Sequence, residues 1–411
     1  MSVNSHNRKV FKYKNLTPLW IAVFIDILGF SLLFPMSGFF KDLFNTTNTM
    51  IGLVFSVNAM FGFVFGPILG RLSDRFGRRP LLLISQFGTL LGFILTALSN
   101  SLLMLFIARM IDGIFGGNFP IAKAIVADTV PSKDRPIQMS NIGIAHVLAS
   151  LIGPGIGGVL FTWFGIIGPG LFAAGLTVIT ITLTFIMLEE TWTEEKRKQH
   201  QKVVIDIDLK IRKNKNAMFF LTLFGFHSVS FMIMMSSISF FGASVLNLQP
   251  LDISLLLMVS GIFRASVRFT IFKPTIKFFG VENAIRIGLT IFVISFFLVG
   301  FSQNIIMILI LIIFISFAAS LTRGPLNSKI SHTVSPKVQG KINGLSSSLD
   351  AFAQVVGPLI GPFIIDTLPA FWLGIIVSII ALPPLIMAFQ KIEEKEYVLN
   401  NTNRMEIQEY E

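Results

Sequence analysis

Long apolar blocks alternate with short polar breaks along most of the chain. The blocks fall at about 17–40, 49–70, 80–99, 101–122, 139–161 and 166–188, and again at about 217–243, 251–272, 283–302, 304–323, 342–365 and 369–389. Each comes close to the ~20 residues an α-helix needs to cross a hydrocarbon core. Gly and Pro interrupt several blocks, which membrane helices tolerate when neighbours re-satisfy the freed backbone groups. The pattern predicts an all-α membrane protein with twelve transmembrane helices, numbered here as spans 1 to 12. The stretch 189–216, EETWTEEKRKQHQKVVIDIDLKIRKNKN, is the only long polar interruption. It divides the chain into a six-helix bundle at 1–188, a linker at 189–216, a second six-helix bundle at 217–389 and a tail at 390–411. The mixed charge of the linker suggests a solvated segment, part of it helical on the membrane surface.

Composition agrees with the pattern. Charged residues make up only 13% of the 411 residues and mean hydropathy is +0.75. That is too little charge to cover a soluble surface of this size. The aromatic residues are 43 Phe against 3 Tyr and 4 Trp, so the aromatic girdle at the membrane interfaces is thin. With no Cys, disulfides, thiol catalysis and Cys-ligated metals are excluded.

The net charge of +11 could suggest a nucleic-acid partner, but its distribution points to the bilayer. Lys and Arg recur in every second loop: Arg8, Lys9, Lys12 and Lys14; Arg71, Arg75, Arg78 and Arg79; Lys133 and Arg135; eight within 189–216; Lys273 and Lys277; Lys329, Lys337 and Lys341; and Lys391, Lys395 and Arg404. The intervening loops carry almost none, Lys41 being the main exception. The excess of basic residues in cytoplasmic loops predicts that both termini are cytoplasmic. The first apolar run is too long for a signal-peptide core and lacks a small-residue cleavage site, so it is expected to be a retained span.

The halves repeat each other. Thr129-Val130 and Gly153-Pro154-x-x-Gly157 recur as Thr333-Val334 and Gly357-Pro358-x-x-Gly361 at an offset of 204, and Phe76-Gly77 recurs as Phe279-Gly280 at 203. A near-constant offset across unrelated motifs indicates duplication. Repeated bundles with a site between them at the midplane are a transporter architecture.

The loop after span 2 reads Gly70-Arg-Leu-Ser-Asp74-Arg75-Phe-Gly77-Arg78-Arg79-Pro80. Gly77 permits a tight reversal, Pro80 suits the first turn of the next helix, and Asp74 can cap a helix or pair with an arginine. With this spacing the chain resembles the major facilitator superfamily, whose signature loop between spans 2 and 3 has the same G-x-x-x-D-R-x-G-R-R form. The resemblance covers the whole chain and implies two pseudo-symmetric six-helix bundles. It also implies that Asp74 and Arg78 join Asp128, at the cytoplasmic end of span 4, in a network that latches the outward-open state. In the second-half copy, Lys277 stands where Asp74 would.

The charges inside the spans are the candidate chemistry. Asp26 lies about 9 residues into span 1, roughly 14 Å deep at helical rise. It reads either as a fixed partner of Arg109 or as a proton carrier held between desolvation and a nearby cation. Arg109 and Asp112 in span 4 stand at i, i+3 on one helix face, as a structural pair or facing the cavity. The superfamily has an Arg-x-x-x-Gly motif here, implicated in proton coupling, usually without Asp at the fourth position. The segment from Asp26 to Pro35 resembles span 1 of the tetracycline/proton antiporters, in which the Asp is linked to coupling. Span 5 carries Gly153-Pro154-Gly155-Ile156-Gly157-Gly158, whose small residues let helices approach closely. It is similar to the GPxxGG ending of proton-driven exporters, with Ser140, Val147 and Ala149 replacing upstream glycines.

Candidate cavity residues are His146 in span 5, His227 in span 7, Arg264 and Arg268 in span 8, and Asp350 and Gln354 in span 11, with Arg323 a weaker one. Arg264 either pairs with Asp350 across the cavity or meets an anionic substrate group. The position matching Arg264 is usually His in tetracycline antiporters.

These features predict a proton-coupled exporter of small amphiphilic molecules in the plasma membrane, functional as a monomer, with protons and a small molecule as partners and no cofactor or metal. The alternative is an exchanger or facilitator of an anionic metabolite that uses Arg264 and Arg268. An enzyme is not expected: there is no G-x-x-x-x-G-K-[ST] phosphate loop, no clustered His/Glu set and no room in the linker for a nucleotide-binding domain.

Overall fold

Short polar residues start the helices. In the computed structural model, Thr47 accepts a hydrogen bond from Met50 N at the head of span 2, and Ser101 does the same for Met104 N at span 4. Asn214 caps span 7 and Asn304 caps span 10. Gln249 and Asp252 form a reciprocal capping box at span 8, with Pro250 in the first turn. Each cap satisfies backbone N–H groups that no helix end can satisfy alone.

The structure describes residues 16–131, 133–192, 214–334 and 338–390, and within these all side chains except Pro136, Ser140, His146, Arg268, Phe269 and Lys273. The basic N-terminal residues, residues 193–213 of the linker, Lys337 and residues 391–411 of the tail lie outside the described residues.

Among the described residues, twelve helices are long and apolar enough to cross a membrane: Thr17–Leu43, Asn48–Phe76, Arg78–Ala97, Leu102–Thr129, Ile137–Phe164, Ile167–Met187, Lys215–Ser244, Pro250–Val267, Pro274–Val299, Ile305–His332, Gln339–Thr367 and Phe371–Phe389. No strand occurs among them. Spans 4, 10 and 11 run beyond their apolar blocks because a helix continues past the hydrocarbon with polar residues, whereas hydropathy registers only the apolar part. Gly77, at φ 108°, ends span 2 and turns the chain straight into span 3. Gly280, at φ 78°, bends the chain at the matching point of the second half.

The halves pack by the same rule. In the first, span 5 lies against span 1, with Gly153 facing Ser31 and Gly157 pressed on the Leu32 backbone. In the second, span 11 lies against span 7, with Gly357 facing Met232 and Gly361 facing Ser237. The repeated Gly-Pro motifs are thus the contact surfaces of equivalent helix pairs, where a Cβ would force the backbones apart. Across the halves, span 2 meets span 11 through Gly52 and Pro358, and span 5 meets span 8 through Gly155 against Met258 and Gly158 against Ser254. Phe240 of span 7 is buried in a core cluster that otherwise belongs to the first half.

Among the described residues, the hydrogen bonds that cross between the halves all lie at the end opposite the span 2–3 loop. Gly38 N donates to Ser239 Oγ at 3.0 Å, and Ser239 donates to the carbonyl of Pro35 at 2.5 Å. Lys41 Nζ donates to Ser244 Oγ at 2.8 Å. Asp366 of span 11 accepts from Asn48 Nδ2, Thr49 N and Thr49 Oγ1 at 2.7, 2.7 and 2.6 Å. Its carboxylate therefore sits on the N-terminal turn of span 2, where the helix dipole favours negative charge. The molecule is closed at this end.

Asp366 is exposed, so solvent screening limits its contribution to about 1 kcal/mol, roughly a fivefold change in the population of the closed end. Ser37 is buried beside the seam, its hydroxyl is without a partner, and the chain has no cysteine. Ser37→Cys therefore supplies a single reporter thiol. Adding Asp366→Ala is expected to speed its labelling by a membrane-impermeant maleimide about fivefold; an unchanged rate would show that Asp366 does not hold the seam.

Candidate functional site

Span 4 is two helices, Leu102–Ile114 and Asn118–Thr129, joined through Phe115–Gly117. Gly116 and Gly117 weaken the helix here, and the Ser85 hydroxyl of span 3 donates to the freed carbonyl of Phe115. The break sets Asn118 at the head of the second helix, 2% exposed. Its Nδ2 donates to Asp26 Oδ1 of span 1 at 2.9 Å. Its own Oδ1 is buried with no hydrogen-bond partner.

One turn before the break, Arg109 is 1% exposed. Nη1 pairs with Asp112 Oδ2 at 3.1 Å. Nη2 donates to Thr96 Oγ1 at 2.5 Å and to the Gly92 carbonyl at 3.3 Å, and the guanidinium lies 5.5 Å from the Phe93 ring centroid. Asn58 of span 2 donates to Asp112 Oδ2 and to the Arg109 carbonyl, both at 3.0 Å. Spans 2, 3 and 4 are thereby tied around one ion pair.

Asp26 is within electrostatic range of Asp112. The sequence offered Arg109 as the partner of Asp26; the structure gives that place to Asn118, with the two terminal nitrogens of Arg109 engaged by Asp112 and by span 3. Asn58, Thr96 and Asn118 were not singled out in the sequence. The signal was there: single amides and hydroxyls inside apolar runs, with Asn118 directly after a Gly pair.

The span 2–3 loop forms a compact network. Arg78 is 6% exposed. Its Nη2 pairs with Asp74 at 2.6 Å and its Nε with Asp128 at 2.9 Å; its Nη1 donates to Ser73 Oγ at 2.6 Å and to the Gly70 carbonyl at 3.5 Å. Arg75 is exposed and lies against Phe76, whereas Arg79 Nη2 donates to the Phe185 carbonyl at 2.5 Å.

Two residues the sequence assigned to the linker complete this network. Glu190 accepts from the backbone N–H groups of Arg78 at 3.0 Å and Arg79 at 3.2 Å, capping span 3. Trp192 Nε1 donates to the Asp74 carbonyl at 2.6 Å, and Arg78 stacks 4.8 Å from the Trp192 ring centroid. The start of the segment 189–216 is therefore docked on the first half.

In the second half, Asp350 accepts from Arg323 Nη2 at 2.6 Å and from Ser228 Oγ at 2.8 Å. The expected alternative of an Arg264–Asp350 pair is not formed; Arg323 takes that place from span 10. Gln354, one turn along span 11 from Asp350, is exposed. Asp350 borders a polar cavity of about 370 Å³ with Asn327, Ser331, Asn343 and Ser347. His227 is 4% exposed, packed against Phe231 and Phe292, with its Nε2 3.4 Å from Thr322 Oγ1. It belongs to the packing of the second half. The side chains of His146 and Arg268 lie outside those described. Among the described residues, no His/Asp/Glu cluster suits a metal ion.

The model of the Major Facilitator Superfamily matches residues 19–273 and 269–407. The tetracycline resistance protein of class H from Pasteurella multocida is 32% identical over 188 residues, 44% of this chain and 46% of that protein. The multidrug resistance protein MdtG from Proteus mirabilis (strain HI4320) is 31% identical over 186 residues, with the same coverage. These alignments span less than half the length of the relatives.

Among solved structures, a D-xylose-proton symporter superposes with a TM-score of 0.74 at 15% identity, covering 94% of this chain and 99% of its own. The human organic anion transporter MFSD10 (TETRAN) gives a TM-score of 0.66 at 21% identity, covering 91% and 98%. At these identities the likeness is one of fold. With its match to the family model over most of its length and twelve helices able to cross a membrane, the chain belongs to the major facilitator superfamily and is a multi-pass membrane protein.

Proposed function

We propose that this protein is a plasma-membrane transporter, a proton-coupled exporter of small amphiphilic molecules that works by alternating access. The observation that carries the reading is the Asp26–Asn118 contact at the break in span 4. An amide suits both charge states of a carboxyl group. Its N–H donates to a carboxylate, and its carbonyl accepts from a carboxylic acid after a flip of the side chain. Asn118 has the N–H engaged and the carbonyl buried without a donor, so Asp26 has a partner on either side of a proton transfer.

Gain or loss of that proton changes the bond between span 1 and the second segment of span 4, next to the hinge formed by Gly116 and Gly117. Arg109, Asp112, Asn58 and Thr96 hold the first segment fixed to spans 2 and 3, so that the second is the part that responds. Coupling then needs only that proton and substrate favour different arrangements of the halves. The efflux relatives support the direction of transport.

The basic loops place both termini, the linker 189–216 and the tail 390–411 in the cytoplasm, with the bundles at 1–188 and 217–389. The closed end described above then faces outward. One chain forms the complete unit.

Two measurements test this. In inverted membrane vesicles with an imposed ΔpH, Asp26→Asn is expected to cut uptake of tetracycline or fluorescent amphiphilic dyes more than about tenfold, while substrate counterflow without a gradient persists. Full ΔpH-driven uptake by that variant would sink the proposal. For the topology, fluorescent-protein fusions at residue 200 and at the C-terminus are expected to be fluorescent, and alkaline-phosphatase fusions there inactive. Active phosphatase at either site would reverse the orientation.

A further inference from the structure

Three faces of span 8 are accounted for by their surroundings. Leu255, Val259, Ile262 and Ser266 form an exposed stripe. Ser254, Met258 and Gly261 face Gly158, Gly155 and Leu151 of span 5. Ser260 bonds to Ser316 of span 10 at 2.7 Å. At the helical angle of about 100° per residue, Arg264 points directly away from the exposed stripe, between the span 5 face and the span 10 face. That direction leads into the space between the halves. Gln354 stands in the same relation to its own helix, opposite exposed Leu345, Phe352 and Phe363.

Among the described residues, no acceptor reaches the Arg264 guanidinium. Asp350 is occupied by Arg323 and Ser228, and the charge that acts on Arg264 is Arg323, of the same sign. A partly buried cation at membrane depth, facing another cation and without a counter-charge, is unfavourable unless something completes it.

On these grounds we propose that Arg264 is an anion-binding subsite of the transport cavity, which takes the carboxylate or sulfonate of a small amphiphilic substrate. The planar guanidinium fork suits a two-oxygen anion. The subsite is apart from the proton-binding residues. Asp26 and Asp112 outnumber Arg109 in the first half, whereas Arg264 and Arg323 outnumber Asp350 in the second. Proton and anion therefore need not share atoms, and are linked only through the movement of the halves. The proposal rests on the reading of the space between the halves as the transport site, but not on proton coupling.

The test is equilibrium binding, without a gradient, to the whole protein in phosphatidylcholine nanodiscs. The probes are 8-anilinonaphthalene-1-sulfonate and N-phenyl-1-naphthylamine, which share a ring system and differ by the sulfonate. Signals are corrected with empty nanodiscs. Wild type is expected to prefer the sulfonate roughly ten- to hundredfold, the range for a charge-assisted contact. Arg264→Gln is expected to lose that preference, and Arg264→Lys, which keeps the charge without the fork, to retain an intermediate one.

Absence of a preference in wild type overturns the proposal whether or not the variants fold, and so does a full preference in Arg264→Gln. Loss of the preference when phosphatidylglycerol is added assigns the cation to lipid headgroups and also overturns it. Asp26→Asn is expected to keep the preference, so a failure of proton coupling reads separately from a failure of the anion site.

Discussion

A polar group inside a bilayer has no water to fall back on, and the arrangement of this protein follows from that constraint. Arg109 shows it at its two terminal nitrogens, although its Nε is buried without a partner. Its guanidinium is engaged by a carboxylate on its own helix and by a hydroxyl and a carbonyl of span 3, while Asn58 from span 2 steadies the same carboxylate. Such a network fixes three helices relative to one another. It also decides by exclusion what Asp26 can bond to: with Arg109 committed elsewhere, the carboxylate of span 1 is left to an amide at a helix break. The immobile part of the site and its adjustable part are products of the same shortage of partners.

Features that depend on periodicity or on repetition were legible in the sequence. The twelve spans, the two related halves and the Arg78–Asp74–Asp128 network could be read from block length, offset and motif. The Gly-Pro repeats marked helix contacts before it was known which helices they joined. What could not be read was choice among partners. Three acidic or basic residues near the same depth do not say which two will meet, because that depends on helix rotation and on uncharged neighbours such as Thr96 and Asn118. The pairing of Asp350 with Arg323 is of the same kind, since spans 8 and 10 both present arginine to the region and only the packing selects one. Glu190 and Trp192 were read as linker because they follow the last apolar residue. Docking on the span 2–3 loop is a tertiary event with no periodic signature.

The conformation adds a further point. The network at the span 2–3 loop is complete although the halves touch at the opposite end. Its bonds lie within the first half and include the cap that Glu190 places on span 3. The closed end is held by different means: close backbone approach at Gly38 and Gly52, hydroxyls on span 7, and one carboxylate on a helix terminus. Contacts of this weak, separable kind suit the alternating access proposed above.

Gly77 and Gly280 invite a last comparison. Both hold the positive φ that turns one helix into the next, yet they are braced differently: Arg78 gathers Asp74 and Asp128 beside the first, whereas Glu282 gathers Lys329 and Arg286 beside the second, where Lys277 stands in the place of the acid. The elbow is the same in the two halves, while the clasp has its signs exchanged: one cation between two acids in the first, one acid between two cations in the second. The symmetry of the skeleton is thus no guide to the sign of the charges that fasten it.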